Sequence, residues 1–262
     1  MPITSDLYRS LESMDLLERP DAAAPRHPWE VSRARFFRRL TTAHVSSPPA
    51  TVLDVGSGDS WFASQLLSDL PAEARVDCWD THYSAADLAV QIHPQLRRVV
   101  TKPTDRYPLV MALDVFEHVE NVRAFVNDLV APSVASDGVL VASVPAYQWL
   151  FTRHDESLGH HRRYSRRDLR ALLAPKFTII AEGSLFTTLL IPRGAQKVAE
   201  RLIRSARPIT SVDSDWTHGA LLTSAFGAVL DADARTGLVL GRAGIRLPGL
   251  SLWAVCKPNQ HR

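Results

Sequence analysis

The stretch from Thr51 to Leu67, TVLDVGSGDSWFASQLL, predicts a buried strand, a tight glycine turn and a helix. Residues 52–55 are mostly apolar, as is typical of a buried strand, and Gly56-Ser57-Gly58 interrupts them. Such a turn places backbone N–H groups and a helix N-terminus beside any ligand at the carboxyl end of the strand. Glycine suits the turn because it adopts positive φ and has no side chain to hold a ligand away.

Two common glycine motifs do not fit this turn. A dinucleotide fingerprint needs a third glycine where the chain has Trp61, and a Walker loop needs a G-K-[ST] ending that is absent. The residues that remain, L-D-V-G-S-G-D-S, resemble the first motif of class I S-adenosylmethionine-dependent methyltransferases. The resemblance implies that the turn cradles the methionine end of the cofactor, S-adenosyl-L-methionine. It departs at Ser60, where the family often has another glycine, and a strand–turn–helix corner of another α/β protein stays an alternative.

An acidic residue, Asp80, ends the second predicted strand, which reads RVDCWD. In nucleoside-binding α/β folds a carboxylate at this place accepts hydrogen bonds from both ribose hydroxyls. A carboxylate suits the task because it is acceptor-only and can bind two donors at once. We therefore expect Asp80 to hold the cofactor ribose, with a solvated strand end or a helix N-cap as the alternative.

The segment after the fourth predicted strand, D-V-F-E-H-V from Asp114 to Val119, carries a second resemblance to the same family. It implies that Asp114 lines the cofactor pocket and that Glu117 and His118 face the place where methyl donor and acceptor meet. Some O-methyltransferases of the ubiquinone pathway have E-x-x-E-H here and hold a divalent cation, so these three residues are an alternative metal site. The preferred expectation is no metal. A third interpretation puts Glu117 at a helix N-terminus and makes His118 structural.

A third motif, H-D-E-x-L-G-H-x-R-R-Y-S, starts at His154 after the fifth predicted strand. With H-P-W-E-x-x-R at 27–33, it resembles one bacterial methyltransferase subfamily. Arginine binds carboxylate or phosphate bidentately and stays charged, so Arg162 and Arg163 are candidates for binding an anionic group. Internal pairing of these arginines with Asp155 or a neighbouring glutamate is the alternative. Further along, a capping-box pattern at Ser165 and Asp168 predicts a helix to Leu173, after a loop at 154–164.

Two histidines are candidates for a general base, His154 first and His118 second. A histidine near its ordinary pKa of about 6.5 accepts a proton from a hydroxyl or amine at neutral pH. Such a base is optional, because the sulfonium is already activated and positioning supplies much of the rate.

The predicted function is methyl transfer from S-adenosylmethionine to a small-molecule or lipid- or sugar-type acceptor. A non-catalytic S-adenosylmethionine-binding accessory protein is the alternative, and Ser60 is the feature that favours it. The assigned residues are His154 and His118 for catalysis; Arg33, Asp54, Gly56, Ser57, Gly58, Asp80, Thr81, Asp114 and Val115 for the cofactor; Tyr147, Trp149, Arg162, Arg163 and Tyr164 for the substrate; and none for a metal.

Predicted strands alternate with short helices along the chain, which predicts an α/β fold with a doubly wound, seven-stranded, mostly parallel sheet. This is the Rossmann-like methyltransferase fold that the resemblance implies. A first helix is predicted at 5–17 and a second from Pro28. We expect an N-terminal helical lid at 1–48, a cofactor-binding core at 49–182, a helical cap inserted between strands six and seven at 183–249, and the final strand of the core at 250–262.

Composition and charge limit the partners and the cellular location that we expect. A net charge of +2 and a pI of 8.7 are too modest to indicate nucleic acid as a partner, and no N/D-P-P-Y type motif is present. Cys78 and Cys256 lie on predicted strands and are expected to be core thiols. No apolar leader and no apolar stretch of about 20 residues is found, so a cytoplasmic protein without an integral membrane segment is expected. The oligomeric state is not set by these features.

Overall fold

The computed structural model describes residues 26–202 and 218–260 of the 262-residue chain. The predicted helix at 5–17 lies outside the described residues, as do residues 203–217 of the predicted cap. Within the described ranges, no helix combines the length and the apolar character needed to cross a bilayer.

Seven strands form one sheet in the order β3-β2-β1-β4-β5-β7-β6. All neighbouring pairs among the first five strands are parallel, while β7 runs antiparallel to both β5 and β6. The prediction of a doubly wound, mostly parallel seven-stranded sheet is therefore confirmed. The strands are β1 Thr51–Val55, β2 Arg75–Trp79, β3 Leu96–Val99, β4 Tyr107–Leu113, β5 Val134–Pro145, β6 Phe177–Leu185 and β7 Ser251–Pro258.

Helices connect the strands and cover both faces of the sheet. Short 3₁₀ turns occur at Leu67–Asp69, Phe116–His118 and Gln148–Leu150. The longer helices are α1 Pro28–His44, α2 Trp61–Leu66, α3 Ala85–Ala89, α4 (Val122–Ala124, Phe125–Val130 and Ala131–Ser133, with a π turn in the middle), α5 Arg153–Ser157, α6 Arg166–Leu173, α7 Leu190–Leu202 and α8 Ala220–Arg242.

The core has two layers because successive strand residues point to opposite faces of the sheet. On one face, Leu53 and Val55 of β1 pack in the same cluster as residues of α4 and α6. On the other face, Val52 packs with residues of α1, α2 and α8. The buried cysteines, Cys78 of β2 and Cys256 of β7, are both free, which confirms the prediction of core thiols.

The H-P-W-E segment starts α1. His27 is the N-cap and its Nδ1 accepts a hydrogen bond from the backbone N–H of Trp29 at 3.1 Å, and Pro28 occupies the first helical position. Phe36 and Phe37 are buried against the sheet. The helix therefore lies along the face of the sheet with its N-terminal end close to the glycine turn, where Arg26 pairs with Asp59.

The segment between β6 and β7 divides into two parts with different positions. Helix α8 packs on the sheet face against α1, with Leu230 and Ala234 buried. Asp233 of α8 accepts hydrogen bonds from the backbone N–H groups of Thr187 and Thr188 at 3.1 and 2.6 Å. Helix α7 contacts the 3₁₀ turn Gln148–Leu150 beyond β5, whereas α8 contacts α1 and β6. The helical cap at 183–249 stays a prediction.

The loop predicted at 154–164 is interrupted by a helix, so that prediction was wrong at its start. Thr152 and Asp155 form a capping box that begins α5, a helix of five residues. The second capping box, predicted at Ser165 and Asp168, is confirmed and begins α6.

Candidate active site

The glycine turn after β1 has open space beside Gly58. Gly56 and Gly58 both have positive φ, 64° and 52°. The N–H of Gly56 donates to the carbonyl oxygen of Trp79 at 2.8 Å, which ties the turn to β2. A Cβ atom added at Gly58 would meet no other heavy atom within 4 Å. The turn therefore presents backbone to free space at the carboxyl end of β1.

Ser60 has the left-handed conformation that makes glycine usual at its position. Its φ is 68° and its side chain is buried. The hydroxyl oxygen lies 2.8 Å from the hydroxyl of Tyr83 and accepts a hydrogen bond from Nε of Arg98 at 3.0 Å. Ser57 also bonds to Tyr83. The departure from glycine is thus compensated by internal hydrogen bonds that the sequence motif does not reveal.

Asp80 lies beside the glycine turn, as the ribose assignment requires. Its Oδ2 accepts a hydrogen bond from the N–H of Gly58 and its Oδ1 accepts one from the N–H of His82, both at 2.9 Å. Each carboxylate oxygen has two lone pairs, so Oδ2 keeps capacity for another donor, whereas Oδ1 also lies 3.3 Å from Nδ1 of His82. Thr81 follows at the end of β2 and is half-buried.

Asp54 is a buried acid within β1, on the sheet face that α1 covers. Burial raises the pKa of Asp54 to about 7; the charge of Arg33 opposes that rise, and Asp80 and Asp59 add to it. A cation close to Asp54 would favour its ionised form and lower this pKa.

Arg33 and Asp114 form an ion pair that joins α1 to the end of β4. Nη2 of Arg33 lies 2.7 Å from Oδ2 of Asp114, and Ser143 donates to the other carboxylate oxygen at 2.8 Å. The Arg33 guanidinium lies over the rings of Trp29 and Phe37, at 5.5 and 5.3 Å. Nε of Arg33 is buried and has no hydrogen-bond partner. The sequence predicted Arg33 and Asp114 as cofactor residues, but it did not predict that they pair.

Val115 and the residues after it form a buried turn that contains Glu117 and His118. Val115 and Glu117 are almost completely buried, and neither carboxylate oxygen of Glu117 has a hydrogen-bond partner. Burial, followed by the charge of Asp114, raises the pKa of Glu117 well above its usual value. The His118 ring packs edge-on against the ring of His160, with centroids 4.6 Å apart. One ligand atom each from Glu117, His118 and His160 lies within 4.8 Å of the others.

His160 belongs to this cluster, and the sequence analysis did not assign it to the site. Its motif was recognised, but nothing in the sequence places it against His118, because 42 residues separate the two. Asp114, the third member of the metal alternative, is instead held by Arg33 and Ser143.

Asp155 is a fully buried carboxylate with four neighbours that come from different parts of the chain. It accepts hydrogen bonds from the N–H of Thr152 at 2.9 Å, Nε of Arg163 at 2.7 Å and Nη2 of Arg193 at 3.1 Å, and Nδ1 of His160 lies 3.0 Å away. Burial alone would raise the pKa of Asp155, but the hydrogen bond from His160 and the charge of Arg163 hold it well below its usual value. This carboxylate fixes the loop beyond β5 and anchors α7 to it.

The predicted substrate residues separate into two groups. Arg163 and Tyr164 are buried, and the hydroxyl of Tyr164 donates to the carbonyl oxygen of Phe116 at 2.9 Å. Their placement favours a structural role over direct contact with a substrate, and for Arg163 it matches the alternative of pairing with Asp155. Tyr147 is half-buried and Trp149 is 59% exposed, with ring centroids 6.1 Å apart.

Arg162 and the two predicted bases differ in environment. Arg162 donates to the carbonyl oxygen of Glu120 at 2.7 Å. Burial, with the charge of Arg193, lowers the pKa of His154, and burial, with His160, lowers that of His118 to about 3. A general base works best when its pKa lies near the operating pH. Both assignments stay predictions, and His154 fits the task better than His118.

Replacing Ser60 separates backbone strain from hydrogen bonding. Ser60→Ala keeps the left-handed backbone but leaves buried partners unpaired, and we expect it to destabilise the protein by about 1–3 kcal/mol. Ser60→Gly loses the same hydrogen bonds but relieves strain of roughly 1–2 kcal/mol, so it should destabilise less. Urea unfolding of both variants measures the difference. A glycine variant less stable than the alanine variant would contradict the account of strain.

Replacing Asp155 with an uncharged residue should lower the free energy of unfolding strongly. Asp155→Asn leaves the buried Arg163 without its counter-charge, and we expect a loss of about 3–5 kcal/mol in the free energy of unfolding. Asp69→Asn, which breaks the more exposed pair with Arg38, is the control and should cost less than about 1 kcal/mol.

The difference in unfolding free energy between the wild type and Asp155→Asn should depend on pH. The folded-state pKa of Asp155 is lowered, so its contribution is fully present above the unfolded-state pKa of about 3.9 and is lost as the pH falls below it. Unfolding free energies measured between pH 3 and 7 should therefore show the wild type losing its advantage over Asp155→Asn at the acid end. An advantage that stays constant over this range would contradict the assignment.

Comparison with known proteins supports the architecture around this site. The family model described as a methyltransferase domain matches residues 29–175, more than half of the chain. No curated protein sequence matches the chain.

Several solved structures share the fold at low sequence identity. The N-methyltransferase NodS from Bradyrhizobium japonicum WM9, in complex with S-adenosyl-L-homocysteine, has a TM-score of 0.52 at 14% identity, covering 97% of this chain and 99% of that one. The plantazolicin methyltransferase BpumL, also with S-adenosylhomocysteine, has a TM-score of 0.53 at 12% identity, with 99% and 91% covered. The [4+2]-cyclase SpnF has a TM-score of 0.51 at 12% identity, with 97% and 94% covered.

The match of the family model runs from α1 to the end of α6 and so includes the glycine turn, Asp80 and the Asp114–His118 segment. The chain belongs to the methyltransferase domain family.

Proposed function

We propose that this protein binds S-adenosylmethionine and transfers its methyl group to a small-molecule or lipid- or sugar-type acceptor. The observation that carries the proposal is the placement of three carboxylates around an open glycine turn: Asp54 within β1, and Asp80 and Asp114 directly after the adjacent strands β2 and β4. Ligands of open α/β sheets bind beyond the carboxyl ends of the strands, which is where Asp80, Asp114 and the turn lie.

The charges at this edge suit the cofactor. S-adenosylmethionine carries a sulfonium and an ammonium group, which three carboxylates attract, and one carboxylate, which needs a cation. Arg33 is a cation at this edge, and its buried Nε has no hydrogen-bond partner. Oδ2 of Asp80 keeps acceptor capacity for a ribose hydroxyl next to the turn. NodS, BpumL and coclaurine N-methyltransferase, which have this fold, were each crystallised with the demethylated product.

The chain contributes orientation and proton transfer to the reaction. In methyl transfer a bond forms between an acceptor oxygen or nitrogen and the methyl carbon, while the carbon–sulfur bond breaks and its electron pair stays on sulfur. The ion pair of Arg33 with Asp114 holds α1 against the end of β4 and so covers one side of the crevice. His154, half-buried and neutral at pH 7 because its pKa is lowered by burial, accepts the proton of the acceptor.

The acceptor surface that we propose is aromatic. Tyr147 and Trp149 lie on the loop after β5, and the Trp149 ring lies 4.0 Å from the position that a Cβ would take on Gly194 of α7. Arg162 lies further along the same segment. Related folds act on different acceptors: coclaurine N-methyltransferase was crystallised with N-methylheliamine and BpumL with a desmethylplantazolicin analogue. The two free, buried thiols are consistent with a cytoplasmic protein, and we propose no nucleic-acid partner.

A cofactor-binding protein without methyl transfer is the second candidate, and the fold of SpnF supports keeping it. That neighbour is a [4+2]-cyclase, so the fold by itself does not determine methyl transfer. Ser60, in contrast, does not favour this candidate, because its hydroxyl bonds to Tyr83 and Arg98 within the protein. Transfer of a labelled methyl group to any acceptor in a cell extract distinguishes the two candidates.

Replacing Asp80 should weaken cofactor binding. A control variant that loses the same charge elsewhere should not. Asp80→Asn removes one acceptor from the ribose site, and we expect at least about tenfold weaker binding of S-adenosylhomocysteine, or about 1.4 kcal/mol. Asp105→Asn removes the same charge from an exposed position before β4, where it pairs with Arg75, and should bind like the wild type. Isothermal titration calorimetry provides both affinities. Wild-type protein that binds NADH instead, or binds neither compound, would refute the proposal.

Cofactor binding should release protons near neutral pH. The pKa of Asp54 is about 7 in the free protein, and a bound cation favours the ionised carboxylate, so the pKa falls and a proton leaves. The release should be larger for S-adenosylmethionine than for S-adenosylhomocysteine, whose sulfur is neutral, and it should vanish in Asp54→Asn. Calorimetry in two buffers of different ionisation enthalpy counts the protons. Proton uptake on binding at pH 7 would count against a cationic ligand beside Asp54.

A further inference from the structure

We propose that Glu117, His118 and His160 bind a divalent transition-metal ion of the Zn²⁺ type at the carboxyl edge of the sheet. One ligand atom from each residue lies within 4.8 Å of the others. Ligand atoms of a tetrahedral site with bonds of about 2.1 Å lie about 3.4 Å apart, so closure requires side-chain movements of the order of 1 Å. The proposal concerns metal binding and does not depend on the identity of the methyl donor.

The environment of Glu117 indicates that a ligand binds beside it. Its side chain is 1% exposed, and neither of its carboxylate oxygens has a hydrogen-bond partner. A buried charge without a partner is costly, and a protonated carboxyl group would still leave its O–H without an acceptor. A cation between Glu117 and the two imidazole rings removes this cost, because a carboxylate oxygen is a normal ligand of Zn²⁺.

The carboxylate of Asp155 orients the ring of His160. Oδ1 of Asp155 lies 3.0 Å from Nδ1 of His160. In protein metal sites a ligating histidine usually donates its other ring N–H to such a group, which fixes the tautomer and the ring orientation. With Nδ1 bonded to Asp155, the lone pair of His160 is left on Nε2. Asp155 itself is held in place by Arg163 and Arg193.

The backbone brings the three residues together before any ion binds. Glu117 and His118 lie on the turn after β4, and His160 lies on the loop after β5, the next strand of the sheet. The N–H of His161 donates to the carbonyl oxygen of Glu117 at 2.8 Å, which joins the two segments directly beside the cluster. A site on such fixed segments needs little ordering when the ion binds.

The donor set decides between classes of metal. Two imidazoles and one carboxylate suit Zn²⁺ and similar transition metals, whereas Mg²⁺ and Ca²⁺ take oxygen ligands. Three protein ligands leave a coordination position for water or for an oxygen atom of a methyl acceptor, and the site lies only a few residues beyond Asp114.

Metal binding by the full chain tests the proposal. The purified protein is stripped with a chelator and titrated with Zn²⁺ against a competing chromophoric chelator, and Co²⁺ is titrated in parallel and followed by its visible spectrum. We expect one Zn²⁺ per chain and binding at least tenfold weaker in Glu117→Gln and His160→Gln. His44→Gln, which removes an imidazole at the far end of α1 bonded to the carbonyl of Leu40, is the control and should bind like the wild type.

Thermal unfolding separates ligation from a structural role. Glu117→Gln removes an unpartnered carboxylate, so the metal-free variant should unfold at the same temperature as the wild type or higher, while Zn²⁺ raises the midpoint of the wild type by more than that of the variant. Wild-type protein that takes up no stoichiometric Zn²⁺ and shows no Co²⁺ spectrum would overturn the proposal even if the variants failed to fold. Equal Zn²⁺ affinity in the wild type, Glu117→Gln and His160→Gln would also overturn it.

Discussion

The buried carboxylate of Asp155 is the interaction on which the arrangement of the sheet edge depends. It accepts hydrogen bonds from the start of α5, from the R-R-Y segment and from α7, and it lies against His160. A buried ion pair contributes little by itself compared with apolar packing, because desolvation offsets much of the attraction. Its value here is geometric: one charge gives three segments (the start of α5, the loop at 160–163 and α7) a single arrangement, and the loop that carries Tyr147 and Trp149 is held by it.

A second ion pair, between Arg33 and Asp114, fixes the position of α1 at the same edge of the sheet. It joins α1 to the end of β4, and the aromatic rings of Trp29 and Phe37 keep the guanidinium in place. The H-P-W-E-x-x-R and D-V-F-E-H-V motifs are thus two halves of one contact. A motif at residues 27–33 therefore lies beside the end of β4, although the two are far apart in sequence.

The sequence predicted what depends on local pattern. The end of strand β4 before Asp114 was predicted, because a continuous apolar run with a clear end is a local signal. The capping box that begins α6 and the place of Asp80 at the end of β2 are local in the same sense.

Pairing between distant residues was not predictable, because no local period encodes it. Arg33 meets Asp114 and His118 meets His160 only once the strand order brings their loops together. The same reason explains why Arg163 and Tyr164 were assigned to a substrate. Their side chains look available in the motif, but tertiary packing places them in the interior.

Among the described residues, four that are not glycine have positive φ, and all four follow the carboxyl end of a strand: Ser60, Asp114, Tyr147 and Phe186. Each such residue costs of order 1–3 kcal/mol unless its surroundings compensate. The edge that is proposed to do the chemistry is therefore also where the backbone is least relaxed. Replacing Asp114 or Tyr147 with glycine would relieve backbone strain but remove a side chain from the proposed site. Higher stability and activity therefore require different residues at these positions.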